Sequence, residues 1–168
     1  MSYEDRFIAA DELITHLDSV FAGVPNPLLQ SKYVGFLAVS AVTVYELAVK
    51  DILINFAKNK HAVFGSFTAE TCARLNGRIK REHLEDEFIV KFGSKYKTRF
   101  KKMVDRQERL FITSHGVSIK NCYSNIITWR NQFAHEGVIP AYATYDEVKN
   151  SYQHGKTVIK CLFSTLVR

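Results

Sequence analysis

The sequence predicts an all-α protein, an up-and-down helical bundle with additional helices inserted in the middle. Three observations lead to this class. Apolar residues recur at three- and four-residue steps over long stretches, which is the period of a helix with one buried face. The 168 residues include only 3 Pro and 8 Gly, too few for the many turns of an all-β protein. Hydrophobic residues make up 46% and charged residues 24%, as in globular domains that bury a core.

The chain is predicted to form one domain over residues 1–168, because no repeat, low-complexity tract or linker divides it. The longest uncharged apolar run, residues 33–45, is shorter than the roughly 20 residues of a membrane span. No apolar signal region follows the polar N-terminus. Cys72, Cys122 and Cys161 are widely spaced and form no CxxC pair, so neither a disulfide framework nor a zinc site is predicted. We therefore expect a soluble cytoplasmic protein without membrane association, metal or other cofactor.

Two helices are predicted in the first third of the chain. Ser2 and Asp5 have the spacing of a capping box, which predicts that a helix opens there. The Pro-Asn-Pro sequence of residues 25–27 ends that helix, since proline cannot continue it. A second helix is predicted from about residue 28 to about residue 60. Because residues 33–45 carry no charge, this helix should be surrounded by others and form the centre of the bundle.

In the middle of the chain, the sequence predicts shorter elements that precede the last helices. Residues 64–67 indicate a turn and residues 68–81 a short helix weakened by a glycine. A basic helix is expected from residue 94 to about residue 111. A further helix ends at Gly137, and Thr144, with a glutamate three residues later, caps the final helix.

The positive charge is concentrated in one segment. Residues 74–109 contain 12 Lys/Arg and 6 Asp/Glu, so this segment accounts for the whole net charge of +6. A local basic surplus fits a polyanion, with nucleic acid as the first expectation, and a solvated helix face is the alternative. The candidate RNA-binding residues are Lys95, Lys97, Arg99, Lys101, Lys102 and Arg106.

The candidate functional stretch is residues 129–137, which contains Arg130, Asn131 and His135. At about 100° per residue, Arg130 falls in the middle of the apolar stripe of its predicted helix. Burying a guanidinium without a partner is costly, so Arg130 should meet an anion. The sequence leaves open whether that anion is Glu46 or Asp51 of the second helix, or a ligand phosphate.

His135 is five residues after Arg130, about 140° further round a continuous helix. The two side chains share a face only if the helix ends or distorts between them, and Gly137 and Pro140 make such an ending plausible. An imidazole that titrates near neutral pH can act as a general acid or base.

Glu46, Lys50 and Asp51 interrupt the otherwise apolar second helix. They are interpreted either as charges exposed at the rim of the bundle or as a polar cluster that supports the site.

Arg130, Asn131, three further residues and His135, near the end of a helix in an all-α chain, resemble the HEPN superfamily. Its signature is an Arg followed by four to six residues and a His, often with a polar residue directly after the Arg. Residues 133–137, residues 46–51 and the capped final helix are also similar to this family. The resemblance extends over most of the chain, and the RiboL-PSP-type branch is the expected one.

The resemblance implies a HEPN-like bundle that dimerises so that two motifs face one cleft. It also implies a metal-independent endoribonuclease, in which the ribose 2′-OH attacks the neighbouring phosphate. Arg130 would bind that phosphate and His135 would act as general acid or base. Asn131 would orient the phosphate or the histidine, or cap the helix end. The implied partners are RNA, a second copy of the chain, and an antitoxin or nucleotidyltransferase.

Two functions remain open at this stage. The leading hypothesis is a ribonuclease that serves as a toxin or anti-phage effector. The alternative is a non-catalytic HEPN-like module that binds a nucleotide, an RNA or a partner protein, with the motif stabilising the helix end and the dimer.

Overall fold

The computed structural model describes residues 2–167, and within them the chain is helical without a strand, which confirms the all-α class. Four helices form the bundle and three lie in the inserted middle. The helices are α1 (Ile8–Val20), α2 (Pro27–Lys58), α3 (Ala62–Ala73), α4 (Arg81–His83), α5 (Ser94–His115), α6 (Ile119–Glu136) and α7 (Tyr145–Leu166). Short 3-10 and π turns precede α1 and join α4 to α5.

The helices α1, α2, α6 and α7 alternate in direction. Phe133 of α6 lies against Gly35 near the start of α2, whereas Tyr123 of α6 stacks on Tyr45 further along, so these two helices run antiparallel. The ring of Tyr3 lies 4.7 Å from that of Phe163, at the far end of α7. The hydroxyl of Tyr145, at the start of α7, reaches the carbonyl of Ile14. The result is the expected up-and-down bundle.

Three stacked tyrosines form the centre of the core. The ring of Tyr45 lies 5.5 Å from that of Tyr123 and 5.7 Å from that of Tyr152. All three hydroxyls donate to backbone carbonyls at distances of 2.5 to 3.3 Å, which satisfies polar groups that burial would otherwise leave unpaired. Gly155 allows this close packing, because a methyl group there would lie 2.6 Å from the Tyr45 hydroxyl.

The predicted caps are present at both ends of the chain. Ser2 and Asp5 form the capping box, although it opens a 3-10 turn over Tyr3–Phe7 before α1 begins. Thr144 caps α7 by accepting from the backbone N–H of Glu147 at 3.2 Å. Within residues 2–167, no helix combines the length and the apolar character needed to cross a membrane.

The predicted helix over residues 68–81 is wrong in its bounds. Helix α3 begins at Ala62, where the His61 side chain caps it, and ends at Ala73. The predicted turn at residues 64–67 lies inside this helix. Gly65 serves close packing there and not a turn, since a methyl group on it would lie 3.0 Å from the Cα atom of Lys58 at the end of α2. The chain then turns, and Gly77 adopts a left-handed conformation (φ +75°) that cannot continue a helix.

Candidate functional site

The motif lies at the C-terminal end of α6, which is unbroken from Ile119 to Glu136. Gly137 ends the helix in a left-handed conformation (φ +69°), and its N–H donates to the carbonyl of Phe133 at 2.9 Å. The helix therefore stops after His135 and not between Arg130 and His135. The two side chains consequently leave the helix about 140° apart.

Arg130 meets Glu46 of α2. Its guanidinium donates to Glu46 Oε1 at 2.8 Å, and the two side chains are 20% and 16% exposed. The same carboxylate oxygen accepts the backbone N–H of Gly77 at 2.8 Å, so Glu46 joins α6, α2 and the turn after α3. A guanidinium has five N–H donors, so this contact leaves others for a second anion. Any phosphate bound there would lie beside the Glu46 carboxylate, whose charge opposes its own.

The polar cluster proposed on α2 divides into two groups. Lys50 lies one turn after Glu46 and donates to Asn76 Oδ1 at 2.5 Å, on the same side as Arg130. Asp51 faces elsewhere and accepts two hydrogen bonds from Arg6, at 2.6 and 3.2 Å. Asp51 is thus bound to the N-terminal turn and does not contact Arg130.

Residues of α2 that the sequence reasoning missed position the end of α6. A methyl group on Gly35 would lie 2.1 Å from the ring of Phe133, so only glycine lets this ring reach the α2 backbone. Lys32 lies 5.7 Å from the centre of the same ring and donates to the carbonyl of Gly137. A glycine within an apolar helix indicates close backbone approach, and Gly35 carried that signal.

The outward side of the motif presents polar groups without partners. His135 is exposed, and its imidazole makes no hydrogen bond within residues 2–167. Asn131 is half-buried on the same side of the helix. Gln132 Oε1, which the sequence reasoning also missed, is buried without a partner in the described part of the chain. Buried polar atoms of this kind are usually paired with protein or with ordered water, so Gln132 Oε1 is an exception in this subunit.

Exposed apolar side chains surround this end of the bundle. Phe36, next to Gly35, is 56% exposed, and Tyr142, in the loop after α6, is 69% exposed. Leu28 in the first turn of α2 and Val138 directly after the motif are also exposed. A group of exposed apolar residues around unpartnered polar ones is typical of a surface that contacts another molecule.

The basic segment also divides. Near its beginning, the N–H of Gly77 donates to Glu46, the same residue that pairs with Arg130. Its later part forms α5, which packs against the C-terminal part of α7. On α5, Lys97 pairs with Asp86 and Lys101 with the buried Glu85. The other four candidate cations line an open groove of about 800 Å³ next to α7. They are Lys95, Arg99, Lys102 and Arg106.

Cysteine chemistry is disfavoured by burial. Burial raises the pKa of the Cys72 thiol to about 11 and that of Cys161 to about 12, so both remain protonated at neutral pH. Within residues 2–167, no group of three or more His, Cys, Asp or Glu side chains is placed to hold a metal ion. The motif on α6 therefore remains the candidate site.

A model of the RiboL-PSP-HEPN family matches residues 4–168, almost the whole chain. The protein belongs to the RiboL-PSP-HEPN family. This confirms the family expected from Arg130, Asn131 and His135, and it agrees with the helical bundle. No curated protein and no solved structure matches the chain. Membership in the RiboL-PSP-HEPN family is compatible both with ribonuclease activity and with a non-catalytic binding module.

Proposed function

We propose that this RiboL-PSP-HEPN protein is a metal-independent endoribonuclease that cleaves single-stranded RNA as a homodimer and serves as a toxin or anti-phage effector. One observation carries the proposal: the family motif ends a helix with its histidine directed outward. His135 is exposed and has no hydrogen-bond partner within residues 2–167, so it is accessible to a substrate.

The proposed chemistry is attack of a ribose 2′-oxygen on the adjacent phosphorus. The O2′–P bond forms and the P–O5′ bond breaks, which leaves a 2′,3′-cyclic phosphate and a 5′-hydroxyl. His135 takes the proton from the 2′-OH or donates one to the leaving oxygen. The Arg130 guanidinium binds the phosphate and stabilises the charge that develops on it. Asn131, half-buried between them along the helix, orients the phosphate or the imidazole.

The angle between the two side chains supports a dimeric site. Because Arg130 and His135 leave one helix about 140° apart, a phosphate bound by one of them is not readily reached by the other in the same subunit. A second copy can bring its own His135 to the phosphate. The exposed side chains of Phe36 and Tyr142 supply an apolar surface on which that copy would dock.

The test is cleavage of single-stranded RNA in EDTA by the wild-type protein, Arg130→Ala and His135→Ala. His16→Ala is the matched control, since His16 is an exposed histidine on α1 outside the motif. We expect cleavage by the wild type and by His16→Ala, with cyclic-phosphate ends, and a loss of about 100-fold or more in the motif variants. Absence of cleavage by the wild type, or equal cleavage by all four proteins, would contradict the proposal.

Cellular role is tested separately. Expression of the wild type, but not of His135→Ala, should arrest growth if the protein is a toxin. A neighbouring gene for an antitoxin or nucleotidyltransferase should relieve that arrest. Growth arrest by both proteins alike would count against RNA cleavage as its cause.

One observation favours a second candidate, a non-catalytic module that binds a nucleotide, an RNA or a partner protein. Arg130 is already paired with Glu46 at 2.8 Å, as expected for a side chain that stabilises the bundle. In that case Arg130→Ala lowers the melting temperature or weakens the dimer, while neither it nor the wild type turns over RNA. Cleavage that is lost in His135→Ala without a change in stability would exclude this candidate.

A further inference from the structure

The ion pairs of α5 divide its charged residues between different faces. Lys97 is bound to Asp86, and Lys101 lies 3.4 Å from Glu85, whose side chain is 6% exposed. These two lysines are therefore directed towards the turns that precede α5. Their charges are offset by these carboxylates, so they contribute little to attracting a further anion.

The carboxylates of α5 form their contacts on another face of the helix, towards the start of α6. Asp105 accepts from Lys120 at 2.6 Å, and Glu108 accepts from the hydroxyl of Ser118 at 2.6 Å. Both contacts join α5 to the start of α6. As a result, no acidic side chain of residues 2–167 lines the groove on the side of α7.

The groove is lined by a regular row of cations. Lys95, Arg99, Lys102 and Arg106 recur at steps of four, three and four residues, which places them along one face over about 16 Å. Arg99 donates to the carbonyl of Thr165 at 3.2 Å, so it is anchored to the end of α7. Within residues 2–167, neither Lys102 nor Arg106 forms an ion pair. A row of cations with no carboxylate among its lining side chains in residues 2–167 matches the spaced charges of a phosphodiester backbone.

This groove is distant from the motif in the same subunit. Tyr123 packs against Gly155, and α6 runs antiparallel to α7, so Arg130 lies at the level of Val148. Ser164, which lines the groove, is 16 residues further along α7, or about 24 Å at 1.5 Å per residue. At about 3.4 Å per stacked nucleotide, that distance corresponds to about seven nucleotides.

We propose that the groove of Lys95, Arg99, Lys102 and Arg106 is a second RNA-binding site that anchors the backbone of one strand away from the cleaved bond. The identification of that strand as the substrate rests on the function proposed above. Because the groove contacts phosphates, it is insensitive to base sequence. Because the groove and the motif are far apart, RNA binding and cleavage should depend on the length of the RNA.

The binding test uses His135→Ala protein, so that RNA stays intact whether or not the wild type cleaves. Lys102→Gln/Arg106→Gln is compared with Lys58→Gln/Lys60→Gln, which removes the same charge at the same end of the bundle but outside the groove. For a single-stranded RNA of about 20 nucleotides, loss of two phosphate contacts should weaken binding about tenfold at low salt. It should also reduce the slope of log K against log salt by about 1.4, while the control pair changes neither.

RNA length provides the second arm. An RNA of about three nucleotides is too short to span the distance at about 3.4 Å per nucleotide, so it cannot contact the groove and the motif at once. The loss of affinity in the groove variant, relative to the control pair, should therefore be smaller for this RNA than for the RNA of about 20 nucleotides. Equal loss of long-RNA binding in the two double variants, or unchanged binding in the groove variant, would overturn the proposal. Selective loss of duplex but not single-stranded binding would also overturn it, as would capture of an acidic protein in place of RNA. If the wild type fails to cleave but the groove variant loses affinity as expected, the groove stands and only the ribonuclease function fails.

Discussion

Removing the Arg130 side chain should lower the free energy of unfolding as well as any activity. The structure indicates the size of the loss in stability. Its partner Glu46 is 16% exposed and has one other donor, the N–H of Gly77. Arg130→Ala therefore leaves a largely buried carboxylate with a single hydrogen bond. Exposed ion pairs contribute about 0–1 kcal/mol, and hydrogen bonds to charged groups about 1.5–3 kcal/mol. For this partly buried pair we expect Arg130→Ala to cost about 2 kcal/mol.

A double-mutant cycle separates the pair from the rest of each side chain. Urea unfolding of the wild type, Arg130→Ala, Glu46→Ala and the double variant should give a coupling energy of about 1–2 kcal/mol. The Arg78–Glu87 pair is the matched control, since it also joins an arginine to a glutamate by a single contact, at 2.7 Å, but its side chains are 53% and 32% exposed. Its coupling should stay below about 1 kcal/mol. Additive effects at Arg130 and Glu46 would refute the reasoning that this contact joins α6 to α2.

The same pair allows a functional test. Glu46→Gln retains an oxygen that can accept from Arg130 and from Gly77, but it removes the charge that opposes a bound phosphate. If Arg130 binds the phosphate, RNA should bind more tightly to Glu46→Gln than to the wild type. Unchanged affinity, with Arg130→Ala also unchanged, would show that the pair is purely structural.

Three further predictions concern stability and reactivity. Gly155→Ala places a methyl group 2.6 Å from a buried tyrosine hydroxyl and should cost about 1–3 kcal/mol in urea unfolding, whereas Gly23→Ala meets nothing within 4 Å and should be nearly neutral. The hydrogen bond from Lys149, and after it the one from Tyr145, lowers the pKa of Asp18. These contacts of the ionised Asp18 therefore stabilise the fold near neutral pH, and their contribution is lost as the pH falls through the lowered pKa. Asp18→Asn should therefore destabilise at neutral pH, with the difference from wild type disappearing in acid. Cys72, whose pKa is raised by burial, should react with a thiol reagent only after unfolding, and rapid labelling of the native protein would contradict its burial.

Local sequence signals predicted several features correctly because each acts over a few residues. The period of 3.6 places Arg130 on the buried stripe of α6, where it is indeed half-buried and paired. Gly137 marks the end of the helix through its left-handed conformation. The predicted bounds of α3 are wrong because Gly65, which indicates a turn in the sequence, instead allows α3 to pack closely on the end of α2. That contact is a tertiary feature that no local pattern reveals.

By itself, the sequence determined the helical class, the family motif, the need of Arg130 for an anion and the angular separation of Arg130 and His135. Only the tertiary structure decided that the anion is Glu46, which is separated from Arg130 by 84 positions in the chain, and that Asp51 serves Arg6 instead. It also decided which cations of α5 face the groove. The physical reason is range: helix period and caps depend on neighbours a few residues away, whereas ion-pair partners depend on which helices pack together.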